Sequence, residues 1–145
     1  MIFSHDYIKS QLLFDIWSIE HLKDGGIFFL IYKKIRNINK LKKNDILFFI
    51  IFHTLFEIYE NSPKAIANNL WGSTEYKGDS FLNSIGDLLS FMSGIYLMYK
   101  LRKKNIYLFL LICEIILFLF LKKDTPILNY HKYIMNFISK NNIKK

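Results

Sequence analysis

The sequence predicts an all-helical integral membrane protein, a single domain over residues 1–145 built as a bundle of about four short transmembrane helices. Three observations predict it. Hydrophobic residues make up 52% of the chain and aromatics 17%, above the usual globular share, while charged residues at 22% are ordinary. Those charges are unevenly placed: between Phe81 and Tyr99 there is only Asp87, and between Ile106 and Leu121 only Glu114. The basic residues gather between the apolar runs, with Lys33, Lys34, Arg36, Lys40, Lys42 and Lys43 in one cluster and Lys100, Arg102, Lys103 and Lys104 in another. A soluble bundle of buried helices fits less well, because Phe, Leu and Ile surround the last apolar segment, where a soluble helix would show a polar face.

Taken in order, residues 8–22 form an amphipathic stretch, with Leu12, Leu13, Ile16 and Ile19 on one side and Lys9, Asp15 and Glu20 away from it. This pattern predicts an interfacial helix or the wet first turns of a span. The first span is expected at 17–32, with Gly25 and Gly26 allowing a close helix approach. The second, 45–59, ends before Pro63, since proline disfavours helix at the residue preceding it. Trp71, Gly72 and Tyr76 in the next loop suit a membrane interface and a folded turn. Asp79 or Ser80 caps the third span, 80–99, in which Gly86, Ser90, Ser93 and Gly94 offer small-residue contact positions. The fourth span, 105–121, is closed by Lys122, Lys123 and Asp124, and Pro126 breaks it; 127–138 is too short to cross and is expected on the surface. Each span is at or below the ~20 residues of a full crossing, a shortfall that snorkelling lysines or a thin bilayer would cover.

A net charge of +8 raises the question of nucleic acid, but confinement of the basic residues to loops makes them a topology signal instead. The 60–80 loop has only Lys64 and Lys77, so it is expected outside the cytoplasm and the two basic loops inside. The lipid bilayer is the expected partner, and nucleic acid is not. Cys113 is the single cysteine, so no intramolecular disulfide can form. No basic region followed by a continuous apolar core opens the sequence, and no cleavable signal peptide is expected.

The polar residues inside the spans carry the functional argument. His53, Glu57, Glu60 and Asn61 are spaced four, three and one apart, and Asp79, Asn83, Asp87 and Ser90 four, four and three apart, so each set falls on one helix face. Packed as an antiparallel hairpin, the two helices would form a ladder: Glu60 and Asn61 level with Asp79, Glu57 facing Asn83, His53 facing Asp87. An ionisable residue at mid-membrane costs about 2.5 to 3.5 kcal/mol on the insertion scale, so Glu57, Asp87 and Glu114 must face one another, a partner or water. The expected site is a pocket open to the outside, with Glu57, Glu60, Asp79 and Asp87 as candidate ligands of a divalent metal ion. His53, Asp87 and Asn83 are the candidate catalytic groups, His53 as proton carrier, and His21, Asn61, Ser80 and Glu114 are further pocket candidates. Nitrogen and oxygen donors together suit zinc, manganese or iron, and carboxylates with Asn83 alone suit magnesium. The leading expectation is a small membrane-embedded, metal-dependent enzyme acting on a lipid or polar head group; an ion or proton transport component and a structural or assembly protein with a purely hydrogen-bonded network are the alternatives that use the same residues.

The run Glu57-Ile-Tyr-Glu-Asn-Ser-Pro63, followed by Tyr76-Lys-Gly-Asp-Ser-Phe-Leu-Asn-Ser-Ile-Gly-Asp87, resembles the signature of an uncharacterised bacterial inner-membrane family, domain-of-unknown-function family 2585. The likeness rests on Glu57, Glu60, Asn61, Ser62, Pro63, Gly78, Asp79, Ser80, Asn83, Ser84 and Asp87. It extends more loosely to His21 with Gly25, to Glu114, and to Lys123, Asp124 and Asn129. Asp24 stands where the family tends to have a second histidine. The resemblance implies a multi-pass protein of the bacterial inner membrane and implies no activity.

Overall fold

A computed structural model describes residues 11–67 and 77–121. The described residues form five helices and no strand: α1 Trp17–Arg36, α2 Lys43–Glu60, α3 Pro63–Ala67, α4 Phe81–Lys100 and α5 Lys103–Leu121. The all-helical class is therefore as the sequence predicts. Of the expected spans, α4 is long and apolar enough to cross a membrane, and Asn105–Phe120 within α5 is a shorter apolar helix. Helices α1 and α2 fall short of that standard because each carries ionisable residues within its length: Glu20, Lys23 and Asp24 in the first, Asp45, Glu57 and Glu60 in the second.

Within the expected amphipathic stretch at 8–22, helix among the described residues begins at Trp17, and 11–16 is bent and irregular. The reason is a reciprocal cap. Asp15 Oδ1 accepts from the Trp17 and Ser18 N–H groups at 2.8 and 3.2 Å, and Ser18 Oγ accepts from the Asp15 N–H at 3.1 Å. These bonds satisfy donors that a helix start leaves open and fix the chain entry. The expected surface helix at 127–138 lies outside the described residues.

Helix α1 ends at Asn37, whose φ of 50° is the left-handed conformation that asparagine tolerates better than most residues. Across the turn that follows, Asp45 accepts from the Lys42 N–H at 2.8 Å and from the Tyr32 hydroxyl at 2.6 Å, which ties the end of α1 to the start of α2. Ser80 caps α4 by accepting from the Asn83 N–H at 3.2 Å. Gly78, at φ 90°, turns the chain so that the Asp79 N–H donates to Asn61 Oδ1, and Asn61 Nδ2 donates to the Glu57 carbonyl at 3.0 Å. The start of α4 is thereby fastened to the end of α2.

The main seam of the bundle joins α1 to α4. A Cβ at Gly25 would meet the Phe91 carbonyl, one at Gly94 the Leu22 carbonyl, and one at Gly86 the Leu13 carbonyl, so the backbones touch where glycine alone fits. Helix α2 packs beside this pair, and α5 lies against α1 on another side. The sequence expectation of an α2–α4 hairpin as the central unit is corrected accordingly: α1 is the principal neighbour of α4.

Two kinds of interior result. Toward the turn between α1 and α2, Phe29, Phe49, Phe91, Ile95 and Met98 form a buried apolar cluster, with Tyr32 and Phe28 packed against it. Toward the opposite end the buried residues are Ser18, His53, Glu57, Asn83 and Asp87. The outside of α2 is apolar instead: Leu47, Ile51, Leu55 and Ile58 are exposed, as are Leu108, Leu111, Ile115, Phe118 and Leu119 on α5.

Candidate functional site

Three helices bring the polar groups together. Helix α2 supplies His53 and Glu57 one turn apart, so both point the same way; α4 supplies Asp87; α1 supplies Ser18 and His21. The chain just before α4 supplies Asp79. His53 Nε2 lies 3.3 Å from Glu57 Oε1, His21 Nδ1 4.0 Å from the same oxygen, and His21 Nε2 3.8 Å from Asp87 Oδ2. The rings of His21 and His53 meet edge to face at 5.1 Å between centroids, and His53 stacks flat on Phe91 at 4.3 Å.

Two sets of ligand atoms converge. One comprises His21, His53 and Glu57, the other Glu57, Asp79 and Asp87, and within each set the atoms lie within 4.8 Å of one another. Glu57 belongs to both. It is 6% exposed, and neither of its carboxylate oxygens has a hydrogen-bond partner of good geometry; His53 Nε2, in a ring 2% exposed, is in the same condition. Buried polar atoms are ordinarily paired, so these atoms are the feature of the cluster that packing alone does not explain. Asp87 differs, because Ser18 Oγ donates to its Oδ1 at 2.8 Å, which leaves Oδ2 facing His21.

The sequence-predicted residues divide as follows. Glu57, Asp79 and Asp87 come together, with His53 beside them, and His21 moves from the margin of the expected site to its centre. Glu60, the last residue of α2 and past the expected 45–59 span, is not in either ligand set; it is half-buried, with one buried carboxylate oxygen unpaired. Asn61 and Ser80 are structural, as clasp and cap. The expected rung between Glu57 and Asn83 is not formed: Asn83 Nδ2 donates to the Leu12 carbonyl at 3.0 Å, because α1 and the segment before it occupy that face of α4. On the next rung His53 hydrogen-bonds with the Asp87 backbone, while the Asp87 side chain turns to Ser18.

Glu114 is in neither ligand set; Lys23 Nζ donates to its Oε1 at 2.6 Å and to Glu20 Oε2 at 2.8 Å. Lys23 is buried and both carboxylates are half-buried, and the three make an ion-paired link between α1 and α5. Sequence reasoning missed Ser18 and Lys23. A serine in the first turn reads as a cap, which it also is, and nothing in the spacing marks the lysine.

Beside the histidines a cavity of about 240 Å³ opens between α1 and α2. Ile27, Phe28, Ile31, Phe52, Phe56 and Phe91 line it, and His21, His53 and Asp24 form its polar part. An apolar groove thus runs along the surface to the edge of the ligand cluster.

The model of the family described as "Protein of unknown function (DUF2585)" matches residues 3–143. No match was found among curated proteins or among solved structures.

Proposed function

The chain belongs to the DUF2585 family, and from the geometry of its polar end we propose that it is a small, membrane-embedded, metal-dependent enzyme acting on a lipid or its polar head group. In this reading α1, α2, α4 and α5 are four membrane-spanning helices of the bacterial inner membrane, with the 60–80 loop outside the cytoplasm. The inverted distribution of side chains supports the membrane: Leu47, Ile51, Leu55 and Ile58 face outward on α2 while Glu57 and His53 face inward. In water such a surface would be a large apolar patch, whereas in lipid it is the ordinary exterior.

The observation that carries the enzymatic reading is Glu57, whose two carboxylate oxygens are buried without partners and faced by His21 and His53. Two imidazoles and one carboxylate make a three-ligand set that leaves positions open, the pattern of catalytic rather than structural metal sites. A divalent cation there would polarise a phosphoryl or carbonyl oxygen of the substrate. The residues do the rest of the positioning. Phe91 holds the His53 ring flat, and Asp87, fixed by Ser18, faces the far nitrogen of His21 and sets its orientation. Because His53 Nε2 faces Glu57 Oε1 at 3.3 Å, a ligand role suits it better than the proton-carrying role expected from sequence. Asn83 acts through the backbone by holding Leu12 against α4. The apolar groove favours a lipid, since a chain lying along Phe28, Phe52 and Phe56 would bring its head to His21 and His53.

The test is thermal unfolding of the detergent-purified protein with and without zinc, manganese, iron or magnesium, beside Glu57→Gln. A cation at ~100 times its dissociation constant stabilises the folded state by about 2.7 kcal/mol. One metal should raise Tm, and Glu57→Gln should abolish the rise while leaving the metal-free Tm unchanged or higher. Absence of any metal effect in the unsubstituted protein overturns the reading.

A further inference from the structure

The ligand sets share a residue, and that sharing has a chemical meaning. We infer that the polar end is a two-cation centre in which Glu57 bridges one cation held by His21 and His53 and a second held by Asp79 and Asp87, and that its substrate is anionic at the reacting group. The inference rests on the reading of this cluster as a cation site and adds the second position.

Three features support it. First, the oxygen set is not merely an acidic cluster: Glu57, more than nine-tenths buried, contributes two buried oxygens that make no hydrogen bond of good geometry, enough for one to face each cation. Second, the donors sort by type. Nitrogen with one carboxylate suits zinc, iron or manganese, and carboxylate oxygens alone suit magnesium or manganese. Opposite oxygens of a cation coordinated at about 2.1 Å stand about 4.2 Å apart, so ligand atoms already within 4.8 Å of one another need only small movements to close on an ion. Third, the charges favour two. Three carboxylates with neutral imidazoles leave a net negative charge around one divalent cation and a net positive charge around two. A buried negative site would repel a phosphoryl or carboxylate group, whereas a positive one attracts it. Paired cations about 3.5 to 4 Å apart are also the arrangement that steadies both the attacking and the leaving oxygen in phosphoryl chemistry.

Manganese alone serves as the probe. The purified full chain, stripped with chelator and dialysed against Mn²⁺, should hold two Mn²⁺ per chain by elemental analysis and give the broadened paramagnetic resonance spectrum of a coupled pair. His53→Ala and Asp79→Asn should each hold one Mn²⁺ and give the sharp spectrum of an isolated ion. One uncoupled Mn²⁺ in the unsubstituted protein overturns the second position and leaves the single-cation reading standing. No bound Mn²⁺, together with no metal effect on Tm, overturns both. Because the decisive reading is made on the unsubstituted chain, a variant that fails to fold does not rescue the proposal.

Discussion

At one end of the bundle Phe29, Phe49, Phe91, Ile95 and Met98 fill the space between α1, α2 and α4. At the other end the same three helices bury Ser18, His53, Glu57, Asn83 and Asp87. Every large side chain of the first region has neighbours of its own kind, and Tyr32 and Asp45 at its rim satisfy each other. The second region is satisfied only in part: Ser18 holds Asp87 and Leu12 holds Asn83, but Glu57 and His53 Nε2 are left open. The same helices thus carry complete packing at one end and unmet polar groups at the other. Stability is drawn from the first region and from the glycine seam common to both, and the second is free to be optimised for a ligand.

Three substitutions break or sharpen this contrast. The largest effect is expected at the seam. Gly94→Leu would drive a side chain into the Leu22 carbonyl and separate α1 from α4, undoing both ends together. No monodisperse folded protein should be recovered by size exclusion in detergent; recovery of a normal, metal-responsive protein would mean that the seam is not shared.

Next comes Phe49→Ala, at a side chain with no exposed surface. It should lower stability by about 3 kcal/mol through the cavity it leaves, while the folded fraction binds metal as before. A parallel loss of metal affinity would show the two ends to be coupled. Ser18→Ala is smaller and of opposite character. Removing the hydroxyl that holds Asp87 should cost about 1 kcal/mol of stability and weaken metal binding by about tenfold, both read from a metal-dependent melting series.

Much of this was legible in the residues. Charge-poor runs marked α4 and α5, the spacing of His53 with Glu57 and of Asn83 with Asp87 placed each pair on one face, and Gly25, Gly86 and Gly94 signalled close helix approach. Periodicity reports which face is polar, but it does not say which helix that face meets. For this reason the pattern does not reveal α1 as the main neighbour of α4, points Asn83 at Glu57 instead of the Leu12 carbonyl, and leaves His21 at the margin. Asp15 and Ser18 show a further limit: one hydroxyl serves as cap and as support for Asp87, and local sequence reveals only the first duty. Glu114 shows the converse, since its isolation in an apolar run signals a partner without identifying Lys23.

That last pairing bears on the order in which the chain is made. Lys23 and Glu114 are 91 residues apart, so on the membrane reading the first helix leaves the ribosome long before the carboxylate that balances its lysine has been synthesised. Glu20, one turn away, offers partial compensation in the interval. Until α5 arrives, α1 is poorly suited to a lone place in lipid, and its final seating waits on α5. Assembly of the bundle therefore ends with a late, long-range handclasp, and a nascent chain released before Glu114 would present an unmatched lysine to the cell's quality control.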